Sequence, residues 1–354
     1  MGILFCLFLI TISSIIIWRS CVVFDLASKR IGKNLKNGVR GATINAIGSS
    51  LPELFTAFFF LLFMQNTIGF SAGLATIIGS AIFNILIIPS IVIFVLLKNN
   101  NSITINKKPI LRDSIFLIIS QLSLLLVLNI GEKKAQITLD ESCFIMLIYL
   151  IYLIYLSKGS LIKKNKEQHT TKKNAWKNLT LSLIPIAIGC AVLVFACELF
   201  AGSAFKNSYS WLSKIGNMGE LEGLGMELPI IALFFAAAAS SVPDLIISYR
   251  DAKSNDVEDS LANPIGSNLF DICVAFGFPL FLYNMFFQNK PISFEGNEGI
   301  YSIETISLLL IIMISLTIIF LFSLIFAKKY NIYHAILFTS LYILFIIIIV
   351  LKVI

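Results

Sequence analysis

Gly48-Ser49-Ser50-Leu51-Pro52-Glu53-Leu54 and Ala239-Ser240-Ser241-Val242-Pro243-Asp244-Leu245 are near copies of each other, and each sets a carboxylate inside an apolar run. Each is followed by a second matched stretch, Gly79-Ser80-Ala81-Ile82-Phe83-Asn84-Ile85 and Gly266-Ser267-Asn268-Leu269-Phe270-Asp271-Ile272. Glu53 is the only charge within 41–64, Asp244 the only one within 228–248, and Asp271 the only one within 261–287. An ionised side chain at bilayer depth is costly, so a repeated one marks a functional site. Its duplication across two halves of a chain with many spans is the pattern of a transporter whose site lies between the repeats.

Working outward, 57% of the 354 residues are hydrophobic and 13% charged, with a mean hydropathy of +0.89. Soluble chains carry about 25% charged residues. Apolar runs long enough to cross a bilayer recur at roughly 2–24, 41–64, 70–97, 112–130, 140–157, 178–204, 228–250, 261–287, 302–327 and 334–354. The fold class expected is therefore an all-α membrane protein of ten transmembrane helices. The opening run lacks a basic leader and a small-residue cleavage site, so it reads as a first span rather than a removed signal. The six cysteines, Cys6, Cys21, Cys143, Cys190, Cys197 and Cys273, show no metal-type spacing and read as packing residues.

The basic stretch 158–177 divides the chain into a first five-helix repeat, 1–157, and a second, 178–354. With both termini outside, 20 of the 27 Lys and Arg fall in inside loops, the bias that sets membrane orientation. The net charge of +7 is thus a topology signal and not a nucleic-acid footprint. Five spans per half is an odd number, so the halves enter the membrane in opposite senses and form an inverted repeat.

The chemistry follows from helical spacing. Ser49, Ser50 and Glu53 share one helix face, as do Ser240, Ser241 and Asp244. Ser80 and Asn84 lie four apart, and so do Ser267 and Asp271. Four faces offer carboxylate, hydroxyl and amide oxygens without Cys or His, a set suited to Ca²⁺ and Na⁺ rather than Zn²⁺ or Cu²⁺. Pro52 cannot donate to the carbonyl of Gly48, nor Pro243 to that of Ala239, which frees backbone oxygens near each break. Any one serine here would ordinarily bond the carbonyl a turn back, and a single proline would ordinarily be a kink. It is the paired recurrence of Ser-Ser-x-Pro-acid that argues for a site. Glu198 is a weaker candidate near a helix end. Asp251, Asp256, Glu258 and Asp259 read as a solvated cytoplasmic turn, and His169 and His334 as span-edge residues without a role.

These paired motifs resemble the α-repeats of the cation/Ca²⁺ exchanger superfamily, and the ten-span layout is similar over nearly the whole chain. The second pair, with Asp244 and the later Asp271, looks most like the K⁺-dependent Na⁺/Ca²⁺ exchangers. The resemblance implies a carrier rather than an enzyme, exchanging Na⁺ for Ca²⁺ with K⁺ moving beside Ca²⁺. It implies that Glu53 and Asp244 hold Ca²⁺ and that Na⁺ competes for them. Ser49, Ser50, Ser80, Asn84, Ser240, Ser241, Ser267 and Asp271, with the carbonyls of Ala46 and Ala237, would complete the ion sites. Two departures stand out: Ala239 replaces the Gly usual before the second Ser pair, and Pro264 stands where the first repeat has Ile77. The stretch 158–177 is too short for a regulatory Ca²⁺-binding domain.

No cofactor, nucleic acid or obligate protein partner is expected; the partners are the bilayer and the ions. A plasma membrane is the expected location, with an organellar membrane as the alternative. Within the class the rivals are a K⁺-independent Na⁺/Ca²⁺ exchanger and a H⁺-coupled cation exchanger. Outside it stand a passive cation channel and an intramembrane aspartic protease, whose Gly-x-Gly-Asp motif is missing.

Overall fold

The computed structural model describes residues 2–31, 39, 41–64, 67–99, 103, 106–129, 137–159, 169–202, 223–286, 303–327 and 329–353. Nearly all of them are helical. The elements are α1 (Gly2–Ile31), a π-helical turn (Gly41–Asn45) leading into α2 (Ala46–Ser49), α3 (Leu51–Met64), α4 (Thr67–Asn99), α5 (Lys107–Asn129), α6 (Leu139–Gly159) and α7 (His169–Ala201). Then come α8 (Leu228–Ile231), a second π turn (Ala232–Ala236), α9 (Ala237–Ser240), α10 (Val242–Lys253) and α11 (Val257–Phe270). A third π turn (Asp271–Phe276), α12 (Gly277–Phe286), α13 (Ile303–Phe326) and α14 (Ile332–Val353) complete the chain.

Among the described residues nine helices or helix runs are long and apolar enough to cross a membrane. The pair Gly41–Ser49 and Leu51–Met64, bent by 42°, makes a tenth. This is the expected ten-span, all-α membrane fold. α7 begins at His169, so the last part of the 158–177 stretch continues a helix. The basic residues expected in loops at Lys33, Lys36, Arg40, Lys133, Lys134, Lys163, Lys164, Lys166, Lys206, Lys214, Lys290 and Lys328 lie outside the described residues.

Burial separates a centre from a rim. Two thirds (67%) of the hydrophobic window of α4 is buried, and the same share of the 228–253 run, against 22% for α14. α4 carries Gly, Ala and Ser and the 228–253 run Ala and Ser, small residues that let helix backbones approach closely where lipid supplies no hydrophobic drive. The rim helices carry Leu, Ile and Phe outward: Leu4, Phe8, Ile184, Ile188 and Phe322 are all exposed, a lipid-facing pattern.

The two halves embrace reciprocally. α4 packs on the second broken run (Leu228–Lys253), and α11 packs on the first (Gly41–Met64). A Cβ on Gly79 would lie 2.0 Å from the Leu233 carbonyl, and one on Gly266 would lie 2.6 Å from that of Ala42. Leu233 and Ala42 occupy matching places in the two repeats, so one close crossing occurs twice. The π turns at 41–45 and 232–236 also match in position. Gly79→Ala should therefore force two helices apart and cost about 1–3 kcal/mol of stability. Gly73→Ala meets only ordinary contacts of 3.4 Å or more and should be tolerated. Thermal unfolding of the detergent-purified variants checks this; equal melting of Gly79→Ala and wild type would reject the tight crossing.

Connections place the loops by side. Ile103 and Tyr330 exchange backbone hydrogen bonds (3.4 and 3.1 Å), so the segments preceding α5 and α14 share one face. Asn284 Nδ2 donates to the Ile137 carbonyl (3.1 Å), and Ser307 Oγ lies 3.2 Å from Asn129 Oδ1, which gathers those ends on the other face. Both groupings agree with the alternation of the ten spans.

Candidate functional site

Each broken run stops for one residue, Ser50 in the first and Ser241 in the second, and restarts with a proline as its second residue. Proline suits a helix start, where its missing N–H would be unpaired anyway. The carboxylate that follows, Glu53 or Asp244, thereby enters the first turn of the new helix, where the helix dipole favours an anion. The bonds around each break match: Ser50 N donates to Ala46 O and Ser241 N to Ala237 O, both at 3.0 Å.

The two breaks meet at the centre. All ten polar candidates, Ser49, Ser50, Glu53, Ser80, Asn84, Ser240, Ser241, Asp244, Ser267 and Asp271, are 0% exposed. Ser241 Oγ lies 2.8 Å from Ser80 Oγ and 3.3 Å from Glu53 Oε1. Ser80 Oγ sits within reach of Glu53 Oε1 (3.2 Å) and Asp271 Oδ2 (3.4 Å). One hydroxyl proton thus faces two carboxylates. Ser267 Oγ donates to Asp244 Oδ1 at 2.5 Å, and Asn84 Nδ2 reaches Asp244 Oδ2 at 3.4 Å. Most of these bonds join one repeat to the other, so neither half builds the site alone.

Four oxygens at this centre have no hydrogen-bond partner: Ser50 Oγ, Glu53 Oε2, Asn84 Oδ1 and Asp271 Oδ1. A buried acceptor left unpaired costs of order 1–3 kcal/mol, and more when charged. Among the described residues no three His, Cys, Asp or Glu side chains converge tightly enough to hold a metal ion by themselves. A cation here would need the hydroxyl and amide oxygens as well as the carboxylates.

The remaining expectations divide. Ser49 Oγ and Ser240 Oγ do bond carbonyls a turn back, Asn45 O at 2.9 Å and Ala237 O at 3.2 Å. Ser49 also lies 3.3 Å from Ser267 Oγ. The carbonyls of Ala46 and Ala237 each accept a backbone N–H and a serine hydroxyl, so they could turn to an ion once the hydroxyl rotates away. Glu198 lies half-buried on α7, three residues before its last residue, Ala201. All six cysteines are free, and all but Cys143 are buried.

One reading is corrected. Asp251 and Asp259 do not belong to a solvated turn: they are 4% and 0% exposed. Asp251 accepts from Asn45 Nδ2 at 3.1 Å, and Asp259 from the Gly41 N–H at 3.1 Å. Hydropathy makes an acidic run near a span end look wet; the partners that bury it come from the other half of the chain. Two asparagines were also missed. Asn263 Nδ2 reaches the Asp244 carbonyl (3.4 Å) and Ser248 Oγ (3.0 Å), and Asn268 Oδ1 accepts from Asn84 at 3.1 Å. Their spacing is the overlooked signal: Asn263 is four residues before Ser267, and Asn268 three before Asp271.

Two interlocked repeats, each with a broken helix and an acid at the break, define an inverted-repeat membrane transporter. The chain belongs to the family described as sodium/calcium exchanger protein, which matches residues 3–158 and 175–351. It is 29% identical over 253 residues to the uncharacterized membrane protein MJ0091 of Methanocaldococcus jannaschii, covering 70% of this chain and 72% of that one. It is 32% identical over 104 residues to sodium/potassium/calcium exchanger 1 of Gallus gallus. That match covers 29% of this chain and only 15% of the relative's length. In fold it is similar to the sodium-calcium exchanger NCX_Mj, with a TM-score of 0.63, 21% identity and coverage of 97% and 98% of the two chains. It is also similar to the H⁺/Ca²⁺ exchanger CAX, with a TM-score of 0.72, 16% identity and coverage of 98% and 82%.

Proposed function

We propose that this protein is a secondary antiporter that exchanges Na⁺ for Ca²⁺ across a membrane, with K⁺ carried beside Ca²⁺. The observation that carries the reading is the set of unpartnered oxygens around Glu53, Asn84 and Asp271, fully buried where the two broken helices meet. Buried carboxylates lacking a cationic partner are strongly unfavourable, and a hard cation relieves them.

Glu53 and Asp244 are the chief Ca²⁺ ligands in this reading. Ser49, Ser50, Ser80, Asn84, Ser240, Ser241, Ser267, Asp271 and the Ala46 and Ala237 carbonyls serve Na⁺, K⁺ or the rest of the Ca²⁺ shell. Exchange follows from mutual exclusion: the site crosses the membrane only when neutralised, by Ca²⁺ with K⁺ or by several Na⁺. α1 and α7, which pack along each other on the rim and touch both broken runs, are suited to move against the centre. Phe24 of α1 already presses on Gly48, where a Cβ would lie 2.5 Å from its ring.

The test is ⁴⁵Ca²⁺ uptake into proteoliposomes under an imposed Na⁺ gradient, with and without K⁺. Uptake that needs the outward Na⁺ gradient supports the reading. Uptake driven by a pH gradient alone would select H⁺ coupling, and uptake without any counter-ion would make the protein a channel.

Orientation has its own test. The charge bias places 158–177 in the cytoplasm and both termini outside. Ser160→Cys, in the part of that stretch outside the described residues, should resist an impermeant thiol reagent on intact cells and react after permeabilisation. Labelling from outside would invert the topology.

A further inference from the structure

Asn84 is an amide where its neighbours at the centre, Glu53, Asp244 and Asp271, are carboxylates. A carboxylate offers an oxygen whichever way it turns. An amide offers oxygen on one side and N–H groups on the other, so it serves a cation only when turned the right way. In the structure it is turned so. Asn84 Nδ2 donates to Asn268 Oδ1 at 3.1 Å and reaches Asp244 Oδ2 at 3.4 Å. Asn84 Oδ1 has no hydrogen-bond partner, like Glu53 Oε2 and Asp271 Oδ1.

Of the two acceptors, Asn268 is the one held in place from behind. Its Nδ2 donates to the Ala81 carbonyl on α4 at 2.9 Å. A carbonyl accepts and never donates, so it fixes which end of the Asn268 amide faces it and leaves Oδ1 for Asn84. Asp244 gives no such constancy, because an ion that takes its carboxylate draws those oxygens from Asn84. Both asparagines are 0% exposed, so bulk water does not offer a substitute acceptor. The repeats differ at this point. Asn268 and Ala81 hold matching places, as do Asp271 and Asn84. The second repeat thus supplies an orienting amide for the amide of the first. The first repeat has only a methyl group in that place, and the carboxylate of Asp271 needs no orienting.

We infer that Asn268 is a positioning residue for the ion site. It holds Asn84 with Oδ1 toward the ion and the N–H groups away, and so raises Ca²⁺ affinity through Asn84 rather than by contact. Without the Asn268 acceptor, the terminal torsion of Asn84 has two broad settings, and one of them points N–H hydrogens at the cation. A hard-cation site tunes its affinity by its oxygen ligands, so a turned amide removes one ligand and adds a repulsive group. The inference rests on the antiport reading for the identity of the ion.

The test is ⁴⁵Ca²⁺ equilibrium binding to the purified full chain in a double-mutant cycle of positions 84 and 268. Asn268→Leu keeps a similar volume and removes the acceptor, and it should weaken Ca²⁺ binding several-fold. Asn84→Ala should weaken it as well. The double variant should bind no more weakly than Asn84→Ala alone, because Asn268 then has no amide to orient. A merely structural Asn268 would make the two losses multiply. Asn268→Ser, a small residue suited to a helix crossing, sets its hydroxyl where the amide carbon stood, short of Asn84, and repeats the measurement if the Leu variant does not fold. Wild-type binding by Asn84→Ala or by the 268 variants, losses that multiply in the double variant, or failure of both 268 variants to fold would overturn the positioning role. Wild type that binds Ca²⁺ without Na⁺-driven uptake would overturn the antiport reading instead, and the cycle would still decide Asn268. Wild type that binds no Ca²⁺ would overturn both.

Discussion

Glu53→Gln and Asp244→Asn should each abolish Na⁺-driven Ca²⁺ uptake while the protein still reaches the membrane intact. Both substitutions keep the side chain's size and remove its charge. Affinity in oxygen sites is tuned over orders of magnitude by the number of charged ligands, so a loss of about 100-fold or more is expected from either variant. The ion-free fold should not suffer in step. Glu53 Oε2 has no hydrogen-bond partner, and neutralising a buried unpaired carboxylate removes a desolvation cost. For Glu53→Gln the melting temperature without ions should therefore hold or rise, and in both variants the increase that Ca²⁺ binding confers on wild type should vanish. Near-normal uptake by either variant would reject the proposed ligands. Loss of uptake by Glu53→Gln together with a lower ion-free melting temperature would assign Glu53 to structure instead.

The spans and the acids at the breaks were legible because they rest on local chemistry. An apolar run declares a span by its length, and Ser-Ser-x-Pro-acid declares a break because proline interrupts the hydrogen-bond ladder wherever it falls. The 42° bend between Gly41–Ser49 and Leu51–Met64 is what Pro52 foretold. The π turns at 41–45, 232–236 and 271–276 were not legible, since GATIN and ALFFA share no residue pattern that would mark a π turn. They follow from tertiary fit. Nor were Asp251 and Asp259, whose burial depends on Asn45 and Gly41 more than 200 positions away. Asn263 and Asn268 sat between clearer motifs, and their amides acquire meaning only once Asp244 and Asn84 are seen beside them. Gly79 and Gly266 stand at matched places in the sequence, but the close crossings they permit, and the carbonyls they touch, follow only from the packing.

Asp271→Asn should leave a folded carrier that exchanges Na⁺ for Ca²⁺ with little or no need for K⁺. Asp271 and Asn84 hold matching places in the two repeats, yet only one is charged. The structure separates them further. Asn84 lies in the unbroken α4 and uses its Nδ2 on Asp244 and Asn268. Asp271 opens a π turn, offers Oδ2 to Ser80 at 3.4 Å and leaves Oδ1 without a partner. With Glu53, Asp244 and Asp271 ionised, the centre carries three negative charges. Ca²⁺ balances two of them and one monovalent cation the third, a balance favoured at membrane depth. Removing the charge at 271 leaves two, which Ca²⁺ neutralises alone. An amide there keeps the side chain's volume and gains an N–H to donate toward Ser80, so packing should persist. The measurement compares ⁴⁵Ca²⁺ uptake in K⁺ and in an inert cation. Wild type should be faster in K⁺ by about tenfold or more, because the third carboxylate is then neutralised, and Asp271→Asn should run alike in both. A wild type indifferent to K⁺ would make the protein a K⁺-independent exchanger. A variant as K⁺-dependent as wild type would move the K⁺ determinant away from Asp271, toward the remaining unpartnered oxygens at Ser50 and Asn84.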